Sequence, residues 1–120
     1  MSENKRSLGT VYESLAAKHL TETGCRILEK NYRCKFGEID LIALSGTTLV
    51  FVEVKYRHSK ISGFAAEAVS FPKQRTISKV ADYFCLKNRI PENTPCRFDV
   101  IAFDGWHLKH YENAFDYISS

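Results

Sequence analysis

The chain has 120 residues, of which 44% are hydrophobic and 26% charged, with a formal net charge of +3. That length allows one domain with one core and excludes two of ordinary size, and the composition excludes an intrinsically disordered chain. No apolar run reaches the roughly 18 to 20 residues that cross a membrane. The polar start Met1 to Ser7 lacks the apolar stretch of a signal peptide, so a cytoplasmic protein with no membrane partner is expected.

Residues 1–8 are expected to be a flexible start. From Gly9 to Thr23, Val11, Leu15, Ala16 and Leu20, with Tyr12 and His19 alongside, recur at helical spacing, and Gly24 stops the helix. Cys25 to Tyr32 reads as a first strand around Ile27 and Leu28, and Phe36-Gly37 as a turn. Glu38 to Leu44 alternates as a strand, with Ile39, Leu41 and Ala43 on one side and Glu38, Asp40 and Ile42 on the other. A polar connector, Ser45 to Thr48, leads to the apolar run Leu49 to Lys55, which reads as a central, buried strand. The short connector makes a hairpin the simplest topology.

Ile61 to Ser70, with Phe64, is irregular and is read as a short helix or a loop. Ser70 and Pro72 suit the start of a helix whose buried stripe is Ile77, Val80, Ala81, Phe84 and Cys85. Pro91 and Pro95 bound a loop; Arg97 to Phe103 is a strand, Asp104-Gly105 a turn, and Trp106 to Tyr111 a final edge strand. Between Leu49 and Phe103 the strand, helix, strand order predicts a parallel crossover. The expected fold is therefore α/β, a mixed central sheet flanked by helices.

Two carboxylates interrupt apolar strands: Asp40 within Gly37-Glu38-Ile39-Asp40-Leu41-Ile42 and Glu53 within Val50-Phe51-Val52-Glu53-Val54-Lys55. A buried ionised carboxylate is costly unless paired, hydrogen-bonded or bound to a metal. If the connector pairs Leu44 with Leu49, Asp40 lies opposite Glu53 and Glu38 opposite Lys55. Two carboxylates that close favour a raised pKa or a divalent cation between them, and oxygen donors suit Mg²⁺ or Mn²⁺. Spacing alone leaves the plainer reading open, in which Lys55 forms structural ion pairs with Glu38 or Asp40. The basic residues fall in two clusters, Lys55, Arg57, His58 and Lys60 after the central strand and Lys73, Arg75 and Lys79 on the next helix, suited to flank one groove. Arg33 and Lys35 are further candidates for phosphate, with a solvated turn as the simpler account.

Gly9-x-x-x-Glu13, Gly37-Glu38-Ile39-Asp40-Leu41-Ile42, Phe51-Val52-Glu53-Val54-Lys55 and Arg97-Phe98-Asp99-Val100 together resemble the YraN family of small, endonuclease-like bacterial proteins. The resemblance runs from about Gly9 to Ala114. The aspartate followed by Glu-x-Lys is similar to the PD-(D/E)XK signature of the Holliday-junction-resolvase branch of the restriction-endonuclease-like fold. Ile39 stands where that signature has proline. The resemblance implies a helix, three strands, helix, strand core; Asp40, Glu53, the Val54 carbonyl and Glu13 as ligands of Mg²⁺ or Mn²⁺; and Lys55 as catalytic lysine. It also implies a DNA substrate and, for cutting two strands, a homodimer. Phe64, Phe71 and the C-terminal aromatics are candidates for its interface. Arg57, Lys73, Gln74 and Arg75 are the candidate nucleic-acid contacts.

Three functional classes follow: a metal-dependent DNA endonuclease, a nucleic-acid-binding module with a vestigial metal site, and a structural or interaction domain. Other residues carry less. Asp99 is expected to pair with a neighbouring basic residue, and His107 and His110 to point to opposite faces of a strand. Trp106, Tyr111, Phe115 and Tyr117 are expected to pack rather than stack on bases. The four cysteines, Cys25, Cys34, Cys85 and Cys96, have neither C-x-x-C spacing nor scaffold density and are expected to be free, mostly buried thiols.

Overall fold

The computed structural model of the protein describes residues 2–57 and 69–119, without the side chains of residues 2–7 and 57. Seven elements follow in the predicted order: α1 (Ser2–Glu22), β1 (Arg26–Cys34), β2 (Gly37–Ser45), β3 (Thr48–Arg57), α2 (Phe71–Lys87), β4 (Cys96–Asp104) and β5 (His107–Phe115). The helix α1 begins earlier than the periodicity from Gly9 indicates, and β5 runs past Tyr111 to Phe115. Most of the stretch Ile61 to Ser70, with Phe64, and the basic residues His58 and Lys60 lie outside the described residues.

One five-stranded sheet has the order β1-β2-β3-β4-β5. The pairs β1/β2, β2/β3 and β4/β5 are antiparallel, while α2 carries the chain across so that β3 and β4 run parallel. The four-residue connector fixes the hairpin register at Leu44 against Leu49, as expected.

Each face of the sheet is covered by one helix. Tyr12, Ala16, Ala17 and Leu20 of α1 pack on Leu41, Ala43, Val50, Val52, Val54, Ile101 and Phe103. Val11, read as part of the buried stripe, is instead 42% exposed, because Tyr12 occupies the face toward the sheet. On the other side, Ile77, Val80, Ala81 and Phe84 of α2 pack on Ile39, Ile42, Leu49, Phe51, Phe98 and Val100. The strand β3 is therefore buried on both faces, which explains its continuous apolar run. Ser70 caps α2, its hydroxyl accepting the Lys73 amide at 3.3 Å, with Pro72 in the first turn.

The aromatic tail packs in part: Phe115 is buried and stacked on Phe98, while Trp106 rests against Tyr12 but is 69% exposed. Tyr117 is half exposed and donates to Asp82 at 2.7 Å. The four cysteines are free, with Cys25 buried, Cys34 and Cys85 half-buried and Cys96 exposed. No helix among the described residues is long and apolar enough to cross a membrane.

Asp99 lies fully buried where the β4/β5 register shifts between Phe98 and Val100. Its carboxylate accepts from Arg97 Nε at 3.1 Å and from the Asn113 amide at 2.9 Å, and lies 2.8 Å from His110 Nε2. His110 Nδ1 is in turn 3.0 Å from His19 Nε2 of α1, so the network ties the helix to the sheet edge. Burial opposes the charge on Asp99, but the hydrogen bonds from His110, Asn113 and Arg97 outweigh it and hold the carboxyl below its ordinary range. Its contribution to stability is thus present above the ordinary carboxylate pKa and lost as pH falls through the lower folded value. Replacing Asp99 with Ala strands a guanidinium and an amide, and is expected to cost about 3–5 kcal/mol. Urea denaturation at neutral pH checks this, and a loss below about 1 kcal/mol refutes the structural assignment.

Candidate active site

The hairpin ladder between β2 and β3 runs from Ser45–Thr48 to Leu41–Val52 and ends there. Beyond Leu41, β2 stays with β1, pairing Ile39 with Tyr32, Glu38 with Arg33 and Gly37 with Cys34. The strands splay at Asp40. There the side chain replaces the ladder: Asp40 Oδ2 accepts the Val54 amide at 2.8 Å. A backbone donor that the sheet would otherwise leave unpaired is satisfied by a carboxylate.

The splay corrects two expectations. Ile39 faces the α2 side with Ile42 rather than the α1 side with Leu41 and Ala43. Glu38 does not lie across from Lys55; it follows β1, with its carboxylate 3.6 Å from Arg33 Nε. Asp40 and Glu53 do meet, through their side chains, which share a hydrogen bond.

Glu53 is 8% exposed in the middle of β3, paired in the parallel ladder with Val100. Burial, and then the Asp40 carboxylate, push its carboxyl up to about 7, against the opposing pull of Lys73 and Lys55. Burial likewise raises Asp40, while the Val54 amide partly offsets it. Below about pH 7 Glu53 keeps its proton and donates it to Asp40.

Around this pair the other predicted residues take distinct places. Lys55 is half-buried, two positions along β3 on the Glu53 face. Val54 is buried beside it. Glu13 projects from α1, where burial and then the Asp40 and Glu38 carboxylates raise its carboxyl, partly countered by a hydrogen bond with Asn31. Asp40 is thus the link between Glu13 and Glu53, although no group of three or more His, Cys, Asp or Glu among the described residues closes into a metal cage. Arg75 is exposed on α2, and Gln74 donates its side-chain amide to the Val69 carbonyl at 2.9 Å. The side chain of Arg57, at the end of β3, lies outside the described residues.

Sequence reasoning placed Lys73 in a basic cluster but missed its partner: Lys73 Nζ lies 3.6 Å from Glu53 Oε2. The signal was available only as the cap at Ser70, which sets the first turn of α2 and so the direction of Lys73. Asn31, in the left-handed region at φ 52° and bonded to Glu13, was likewise missed.

Against this geometry, the model of the uncharacterised protein family UPF0102 matches residues 12–103. The chain belongs to the UPF0102 family. A UPF0102 protein of Lachnoclostridium phytofermentans is 49% identical over 94% of this chain and 96% of its own length. A UPF0102 protein of Clostridioides difficile is 47% identical over 93% of this chain and 99% of its own. One of Saccharophagus degradans is 46% identical over 89% of this chain and 91% of its own. The UPF0102 match takes in Glu13, Asp40, Glu53 and Lys55, so the whole site lies within the family's span.

The shared proton has a measurable signature. Glu53 titrates at about 7 when folded against 4.5 ordinarily, so the native state holds the proton more tightly and stability falls as pH rises through 7. Glu53→Gln keeps a donor toward Asp40 and removes the ionisation. It is expected to stabilise the protein by about 1–3 kcal/mol at pH 8 and by little at pH 5. Urea denaturation at the two pH values checks this; a variant less stable than wild type at pH 8 contradicts the shared proton.

Proposed function

We propose that this UPF0102 protein is a divalent-metal-dependent nuclease that hydrolyses phosphodiester bonds in DNA. The observation that carries the reading is the pairing of half-buried Asp40 with buried Glu53 at the splay of β2 from β3, followed on the Glu53 strand by Lys55. Among the described residues the packing of β3 is otherwise apolar, and burying one carboxylate beside another is costly.

The donor chemistry fits Mg²⁺ or Mn²⁺: the carboxylates of Asp40 and Glu53 and the Val54 carbonyl are hard oxygen donors, with Glu13 available from α1. A bound divalent cation supplies charge neutralisation for a phosphate and lowers the pKa of a water. The Val54 amide fixes the Asp40 carboxylate through Oδ2, and loss of the Glu53 proton would free the pair for a cation. Glu53 must release its proton for the pair to become a full dianion, which makes occupancy depend on pH through about 7. Lys55, on the same face of β3, is placed to stabilise charge developing on the phosphate oxygens. Lys73 balances Glu53 in the free protein and can transfer its ammonium to an incoming phosphate. Arg75, exposed on α2, extends the positive field.

The test is cleavage of single-stranded, duplex and four-way-junction DNA in Mn²⁺ and in Mg²⁺. Asp40→Ala and Glu53→Ala are expected to abolish cutting and Lys55→Ala to reduce it about a hundredfold or more, each with its fold intact by circular dichroism. Wild-type activity should rise with pH through about 7. Salt-sensitive DNA binding with no turnover under any of these conditions replaces the nuclease with a binding module.

A further inference from the structure

We propose that Phe36 and the solvent-facing groove of α2 form a stacking platform for an unpaired stretch of nucleic acid entering the acidic site. The proposal deepens the nuclease reading and rests on it for the nature of the ligand. Phe36 sits in the β1–β2 turn and is 44% exposed. The turn is held down. Gly37 has φ +147°, and a Cβ at that position would meet Thr76 Cγ2 at 2.7 Å, so only glycine lets the turn sit this close to α2.

The surroundings of the ring are those of a polyanion site. Lys35 Nζ lies 5.3 Å and Lys79 Nζ 6.0 Å from its centroid, and the Tyr83 ring meets it edge-on at 6.1 Å. Phe36, Lys79, Asp82, Tyr83 and Leu86 line one cleft, and Pro72, Arg75, Thr76 and Lys79 line the next, so Lys79 joins the two into one groove along α2. The groove leads to the first turn of α2, where Lys73 meets Glu53. Asp82 is its one acid lining among the described residues, and Asp82 Oδ2 accepts the Tyr117 hydroxyl at 2.7 Å. Three cations, Lys35, Arg75 and Lys79, therefore face one carboxylate that already accepts a hydrogen bond.

A duplex keeps the π-faces of its bases stacked inside and presents its backbone and the groove edges of its bases, so an exposed ring has no face to stack on. An unpaired base has a free face, and stacking on an aromatic ring flanked by cations is the sequence-tolerant way to hold it. An exposed cation–π contact is weak enough for a base to displace one lysine, whose ammonium then meets the adjacent phosphate. Phe36 is four residues before Asp40, about 13 Å along an extended strand at about 3.3 Å per residue. A stacked base there guides the strand toward the carboxylates without blocking them. Single strands, flaps and splayed arms are the substrates this groove fits.

The experiment is fluorescence anisotropy of a labelled oligothymidylate and of a labelled duplex, without divalent cation so that nothing is cut. Phe36→Ala and Phe36→Leu are each expected to weaken oligothymidylate binding about tenfold or more and to leave duplex binding unchanged, while Phe36→Trp retains both. Leucine keeps the apolar cover of the turn, so its failure isolates the π-face from any change in folding. Lys79→Ala should lower the slope of log affinity against log salt by about 0.7 on the single strand. Equal oligothymidylate binding by wild type, Phe36→Ala and Phe36→Leu overturns the platform. Manganese-dependent cleavage by wild type alongside that result leaves the nuclease reading intact. Phe36-dependent binding by a protein that cuts nothing keeps the platform and overturns the nuclease. Binding of neither nucleic acid overturns both and leaves the groove to a protein.

Discussion

The hydrogen bond from the Val54 amide to the Asp40 carboxylate, at 2.8 Å, is the constraint on which the site depends. A regular hairpin would satisfy that amide with a main-chain carbonyl of β2 and continue pairing. Here β2 leaves β3 after Leu41 and stays with β1, and the carboxylate spans the opening. The exchange opens a gap beside the central strand while leaving no buried polar side-chain atom without a partner among the described residues. It also fixes Asp40 by a rigid element, so that Glu53 is held against it rather than free to swing away. The raised carboxyl of Glu53 follows from that enforced proximity and from burial.

Asp99 shows what a structural carboxylate looks like in the same sheet. Both aspartates sit where a ladder is interrupted, and both accept a main-chain amide from the neighbouring strand. Asp99 also takes Arg97 and His110, and these lower its carboxyl. Burial raises the Asp40 carboxyl, and the Val54 amide and the proton of a second acid offset it only in part. The first is saturated by the fold. The second is held by one amide and by the proton of its neighbour, a departure from local consistency.

Much of this was legible along the chain because the governing interactions are local. Helical periodicity, the Gly24 stop, the Ser70 cap and the short Ser45–Thr48 connector each act within a few residues, and the connector alone sets Leu44 against Leu49. The interruption of two apolar strands by Asp40 and Glu53 was equally visible, since burying charge is costly wherever the partner lies. What stayed hidden was the break in the ladder. Alternation assigns Ile39 to the face of Leu41, and nothing in Gly37-Glu38-Ile39-Asp40-Leu41-Ile42 says that β2 prefers β1 over β3 from Asp40 backwards. The Lys73–Glu53 and His19–His110 contacts were hidden for a related reason: they join elements far apart in sequence, and their geometry depends on how each helix is seated.

The seating of α1 determines how the third acid reaches the pair. Tyr12 is buried, stacked on Tyr56 at 4.6 Å and tilted against Phe103 at 4.8 Å, which fixes the rotation of the helix about its axis. Glu13, the next residue, is therefore turned about 100° away, toward the side where β1 and β2 separate from β3. There it feels Asp40 and Glu38 and is held by Asn31. Burial and the nearby Asp40 carboxylate both oppose charge on Glu53, and the fold answers with the retained Glu53 proton and the Lys73 ammonium. Both responses are reversible. Deprotonation of Glu53 above about pH 7 undoes the first and added salt screens the second, so neither is a fixed part of the packing.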